Sequence, residues 1–135
     1  MAGPSKHLSW DELACSDGTP YPTRWRKNRA AVLARAFEAI RHECGDKPIK
    51  VTSGYRSPEA NKQAGGAKSS QHLAGRALDL KPPKGLTNKE FFCIIKGLAK
   101  DTHPEIKGIG CYPAHVHVDV RNAPQLVVWE GSYGN

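Results

Sequence analysis

Between residues 28 and 44, apolar side chains recur at Ala31, Val32, Leu33, Ala34, Ala36, Phe37 and Ile40, interleaved with Arg29, Arg35, Glu38 and Arg41. This 3.6-residue repeat predicts an amphipathic helix that Gly45 ends. A second such helix is predicted after Thr87, which stands at a capping position with Glu90 three residues on, and Phe91, Ile94, Ile95 and Leu98 supply its apolar face. Ser9 and Glu12 repeat that capping box and mark a brief helix within residues 8–13. Pro58 suits the first turn of another, which Gly65-Gly66 breaks.

Elsewhere the period shortens to two. Ile49-Lys50-Val51-Thr52-Ser53 alternates and is β-branched, which predicts a half-buried strand ending at Gly54. Arg76-Ala77-Leu78-Asp79-Leu80 predicts a short strand that Pro82-Pro83 terminates. Three more strands are predicted over 106–112, 115–121 and 126–129, and the turn formers of 16–22 predict an irregular surface segment. Helices early and strands clustered later define an α+β class with a central antiparallel sheet and flanking helices. With 135 residues, no internal repeat and no linker, residues 1–135 read as one domain.

Composition changes this picture little, since 39% hydrophobic and 24% charged residues are ordinary for a globular chain. The net charge of +7 is scattered along the sequence and favours an extended anionic partner: nucleic acid, membrane surface and anionic wall polymer all qualify. Nucleic acid is disfavoured, because zinc-finger spacing is missing and Trp10, Trp25 and Trp129 are not interleaved with a basic stripe. No apolar run reaches the ~18 to 20 residues that span a bilayer, and the first residues lack the apolar middle of a secretion signal. A soluble monomer with no membrane partner is expected, either made in the cytoplasm and released by other means or cut from an exported protein. Cys15, Cys44, Cys93 and Cys111 show no CxxC pair, so a thiolate metal site is not expected. They can form two disulfides outside the cell or stay as small buried thiols in a reducing compartment.

The chemistry gathers in two stretches. In His115-Val116-His117-Val118-Asp119-Val120 the alternation is strict, so a strand sends His115, His117 and Asp119 to one face and the valines to the other. With the valines in the core, two imidazoles can share a metal, or one can bind it while the other handles protons. In the second stretch, His72 precedes Asp79 by seven residues across Gly75, whose freedom at positive φ allows a bend that brings both side chains to one ion. One more histidine completes three protein ligands with an open fourth position, the pattern of a catalytic zinc. The same donor set also suits iron or manganese. His7, His42 and His103 fall outside these stretches and read as surface or helix-end residues.

Several blocks in a fixed order carry a resemblance: Ser53-Gly54-Tyr55-Arg56-Ser57-Pro58, then Ser70-Gln71-His72 with Gly75, Ala77 and Asp79, then Gly108-Ile109-Gly110, then His117-Val118-Asp119. Together with Leu13-Ala14-Cys15-Ser16-Asp17-Gly18 they cover most of the chain, and they resemble the zinc D-alanyl-D-alanine carboxypeptidase family, phage endolysin-type members included. The resemblance implies a mixed fold whose central antiparallel sheet holds zinc in its concave face, with His72, Asp79 and His117 as ligands. It implies a zinc peptidase, carboxypeptidase or endopeptidase, acting on bacterial peptidoglycan stem or cross-link peptides. Arg56 resembles the family arginine that contacts substrate, polarises the scissile carbonyl and stabilises the oxyanion, and Ser70 resembles a family position that hydrogen-bonds substrate. Tyr55 and Tyr112 are candidates to line the cleft.

One departure stands out. Some members place a glutamate three residues before the last histidine ligand, and Ala114 occupies that position here. His115, two residues before that ligand, is then the best candidate for proton transfer or for holding the tetrahedral intermediate. Asp119 suits a partner that orients a ligand imidazole or the Arg56 head. The missing glutamate leaves open a catalytically inactive, zinc-containing module that binds cell wall.

Overall fold

In a computed structural model, which describes residues 2–132, Ser9 caps a first helix, α1 (Trp10–Leu13). Its hydroxyl accepts from the Glu12 amide while the Glu12 carboxylate accepts from the Ser9 N–H. A single 3-10 turn (Thr23–Trp25) follows the irregular segment and leads to α2 (Arg29–Glu43), which the Asn28 side chain caps. Gly45, at φ +85°, ends α2 with the left-handed residue that helix termini favour. Ser57 caps α3 (Pro58–Gln63), and the Thr87–Glu90 capping box starts α4 (Asn88–Asp101).

Five strands form one sheet: β1 (Val51–Ser53), β2 (Ala77–Leu80), β3 (Gly108–Cys111), β4 (Val116–Asp119) and β5 (Val127–Glu130), in the order β1-β2-β4-β3-β5. The first four are shorter than the runs that predict them, and β5 keeps its length but starts one residue later. The expectation of an antiparallel sheet needs one correction. β5 runs parallel to β3, so the sheet is mixed. Both edges of β4 are already taken by β2 and β3, so the chain leaving β4 passes over β3 and pairs on its far side.

The valines of β4 settle which face is the core. Val116 and Val118 are buried with Leu78, Leu80 and Ile109 against Phe91, Ile95 and Leu98 of α4, and Leu33, Phe37 and Ile40 of α2 extend the same cluster. The opposite face carries the polar row. Register aligns Ser53, Asp79, His117, Gly110 and Trp129 across all five strands, and the next row holds Ala77, Asp119 and Gly108. All four cysteines are free thiols, two of them buried. Among the described residues no helix is long and apolar enough to cross a membrane.

Candidate metal centre and adjoining cleft

Cross-strand pairing sets Asp79 of β2 beside His117 of β4, and the loop before β2 folds back to add His72. That fold-back has local causes: Gly75 turns the chain at φ +67°, its carbonyl accepts from the Tyr21 hydroxyl at 2.6 Å, and its amide donates to His72 O. The side chains of His72, Asp79 and His117 each bring one ligand atom to a common point, all within 4.8 Å of one another, and all three are buried.

The hydrogen bonds fix which imidazole nitrogen faces that point. His72 Nδ1 lies 2.7 Å from Gly54 O, an acceptor only, so Nδ1 carries the proton and the Nε2 lone pair faces Asp79 Oδ1 at 3.2 Å. His117 is reversed. Its Nε2 donates to Asp119 Oδ2 at 2.6 Å, which leaves Nδ1 facing Asp79 Oδ1 at 3.4 Å. Two lone pairs and a carboxylate oxygen converging in a buried space form a donor set that fits a divalent cation of the zinc type, with each imidazole oriented by an outer partner.

Charge follows the same plan. Burial pushes the Asp79 carboxyl up, but its close contacts with the His117 and His72 imidazoles outweigh it and hold the group below its ordinary value. Burial lowers the His72 imidazole and overrides the pull of Asp79, which keeps it neutral and able to donate its lone pair. Burial alone acts to lower His117, yet Asp119 and Asp79 raise it. Asp119 is pushed up by burial and brought down to about 2 by Arg121 and His117. Arg121 grips it with Nε at 2.8 Å and Nη2 at 2.7 Å.

Two further side chains face the centre. His115 Nε2 is buried, has no hydrogen-bond partner and sits 3.6 Å from Asp79 Oδ1, while its ring stacks on Tyr112 at 4.8 Å. Arg56, after β1, reaches Asp79 Oδ2 with Nη2 and Asn61 Oδ1 with Nη1, both at 3.4 Å.

A cleft of about 510 Å³ opens beside His117, walled by Ser70, Gln71, Tyr112, Arg121 and Trp129. Ser70 and Tyr112 both line this cleft, and the Ser70 hydroxyl also accepts from the His72 amide at 3.2 Å. Tyr55 does not line this cleft. Its ring packs edge-on to Tyr21 and Trp25, beside a separate cavity of about 240 Å³ that it shares with Arg56.

Sequence reasoning passed over Asn61, Asn88, Arg121 and Trp129. Asn88 donates from the start of α4 to the carbonyls of Tyr112 and His115, which fixes the turn before β4. Trp129 Nε1 donates to the Tyr112 hydroxyl at 2.8 Å, and its ring lies over Gly110, where a Cβ would meet it at 2.6 Å. The pair of sheet glycines was the available signal: a bare strand position reserves space for a neighbour.

Buried imidazoles and a carboxylate converging on one face of a mixed sheet, with a histidine and an arginine at hand, define a centre of the kind metal-dependent hydrolases use. The Peptidase M15 family matches residues 6–119, and the chain belongs to that family. It is also 38% identical over 86 residues to the zinc D-Ala-D-Ala carboxypeptidase of Streptomyces albus G. That similarity covers 64% of this chain but 32% of the relative, so the chain spans about a third of the length of the curated protein it matches.

Proposed function

We propose that this protein is a zinc peptidase that hydrolyses an amide bond in bacterial peptidoglycan, within the stem or cross-link peptides. The carrying observation is the convergence of His72 Nε2, Asp79 Oδ1 and His117 Nδ1 with both tautomers fixed from behind. Membership of the peptidase family and the similarity to a zinc D-Ala-D-Ala carboxypeptidase support the metal, the reaction and the substrate class. These three residues would hold the ion. Zinc so placed supplies a Lewis acid that makes water nucleophilic near neutral pH and draws charge from a carbonyl oxygen.

The remaining work falls to the chain. His115 Nε2, which makes no hydrogen bond, accepts the proton of the attacking water and returns it to the leaving amine. Arg56, held between Asn61 and Asp79, faces the carbonyl oxygen as negative charge develops on it. Ser70 and Tyr112 line the path by which the peptide reaches them. A bare binding module has no use for a further imidazole turned toward the ligand Asp79, which favours turnover over wall binding alone.

The test is mass spectrometry of purified peptidoglycan fragments incubated with the protein, with zinc, with a chelator and with His72→Ala. Chelator-sensitive release of D-alanine would name a carboxypeptidase, and release of a longer peptide an endopeptidase. If no zinc-loaded sample released product while the protein still bound wall, the binding-module reading would replace this one.

A further inference from the structure

A separate groove of about 450 Å³ is lined by Lys27, Arg29, Arg35 and Arg76 together with Val32 and Val120. Four lining side chains are cationic and no lining residue is acidic. Among the described residues, none of the four pairs with a carboxylate. Arg29 is fixed in place: Nη1 donates to Ala74 O at 2.7 Å, and the guanidinium lies 4.2 Å from the Trp25 ring centre. Burial pushes its pKa down, and the neighbouring Arg76 and Arg24 add to this against an opposing effect of Tyr21, as expected where cations are crowded together. A mobile anion relieves such crowding.

We propose that this groove binds a phosphodiester polyanion of the bacterial wall, a polyol-phosphate chain, and so holds the protein on its substrate. The identity of the polymer rests on the wall-peptidase reading. The ligand is a backbone rather than a nucleic acid, because the nearby aromatic faces are already engaged. Arg24 and Arg29 both lie over Trp25, and Arg26 lies over Trp10 at 4.4 Å, so bases would have to displace guanidinium groups in order to stack. Phosphates need no ring, and each one neutralised releases counterions, which makes binding salt-sensitive.

The test titrates the full chain with poly(glycerol phosphate) and, separately, with single-stranded DNA of the same phosphate count, at low and moderate salt. The double variant Lys27→Glu/Arg35→Glu is compared with Lys84→Glu/Lys100→Glu, which makes the same change of net charge at exposed lysines elsewhere. Circular dichroism verifies that both fold. The groove variant should lose roughly tenfold or more in affinity for the polymer, and the control no more than about threefold. Equal losses, no saturable binding, or tighter binding of DNA than of polyol phosphate would each overturn the proposal. Since the probe contains no peptide bond, failure to release wall peptides would sink the peptidase reading and leave this result standing.

Discussion

The imidazole of His117 and the carboxylate of Asp119 meet at 2.6 Å although both lie on the same strand, two residues apart. Successive same-face positions on β4 thus serve the centre and its support. The contact commits Nε2 to Asp119 and turns Nδ1 toward Asp79. Asp119 is in turn neutralised by Arg121, and Gly108 opposite it on β3 leaves the carboxylate the space a Cβ would fill. Asp119→Asn removes the charge that stabilises this arrangement, and zinc affinity should fall roughly 10- to 100-fold. Competition against a chromophoric chelator measures it, and unchanged affinity would show that Asp119 does not orient the ligand.

His115 differs from His117 in having no such anchor. Its Nε2 carries no bond, so truncation leaves the three converging donors in place. His115→Ala should bind zinc in the normal ratio and lose turnover on the order of 10²- to 10⁴-fold. Near-full turnover in a zinc-loaded sample would move proton transfer to some other group.

For Arg56 the geometry of the guanidinium matters as much as its charge, since separate Nη atoms reach Asn61 and Asp79. Lysine keeps the charge and cannot make both contacts. Arg56→Lys should lower kcat by about 10²-fold with a smaller change in KM, as expected for a group that acts on charge developing in the transition state. A rise in KM with kcat intact would instead make Arg56 a plain substrate anchor.

How much of this was written in the sequence depends on the range of each interaction. The capping boxes at Ser9 and Thr87, the valine alternation in β4 and the His72–Asp79 spacing are local patterns, and each appears in the structure where the pattern placed it. The parallel pairing of β5 was not legible, because it depends on β4 having both edges occupied, a fact about three other strands. Trp129 and Asn88 were missed for the same reason, since each acts through a partner brought near only by sheet register or by the packing of α4 on β3, whereas Arg121 was missed although its partner Asp119 lies two residues before it. Tyr55 sits inside the recognised block, and its ring packs in the aromatic cluster around Tyr21 beside the cavity it shares with Arg56.

Gly110 puts the sheet glycines to a direct test. A methyl there would meet the Trp129 indole at 2.6 Å, and backbone pairing to β4 and β5 leaves the strand little room to retreat. Gly110→Ala should cost about 1 to 3 kcal/mol in urea unfolding, the range for overpacked sites. It should also weaken the Trp129–Tyr112 bond that supports the cleft wall. Unchanged stability would mean that β5 yields readily and that the wall is not fixed.

Far from the centre, Glu38 of α2 ties down the first residues of the described chain. Its carboxylate accepts from Ser5 Oγ at 2.6 Å and from the His7 amide at 2.8 Å, and it meets His7 Nδ1 at 2.7 Å. Partial burial pushes the carboxyl up, but these bonds outweigh it and hold the pKa below its ordinary value. A carboxylate whose folded value is depressed stabilises the fold above its unfolded pKa of about 4.3, and that stability is lost as pH falls below it. Glu38→Gln should therefore lower unfolding free energy at pH 7 by about 1 kcal/mol. The gap to the parent protein should narrow as the pH is lowered toward ~3 and the parent carboxylate begins to take up a proton. Paired urea titrations at the two pH values measure this, and a gap of the same size at both would show that the charge of Glu38 plays no part in holding the segment.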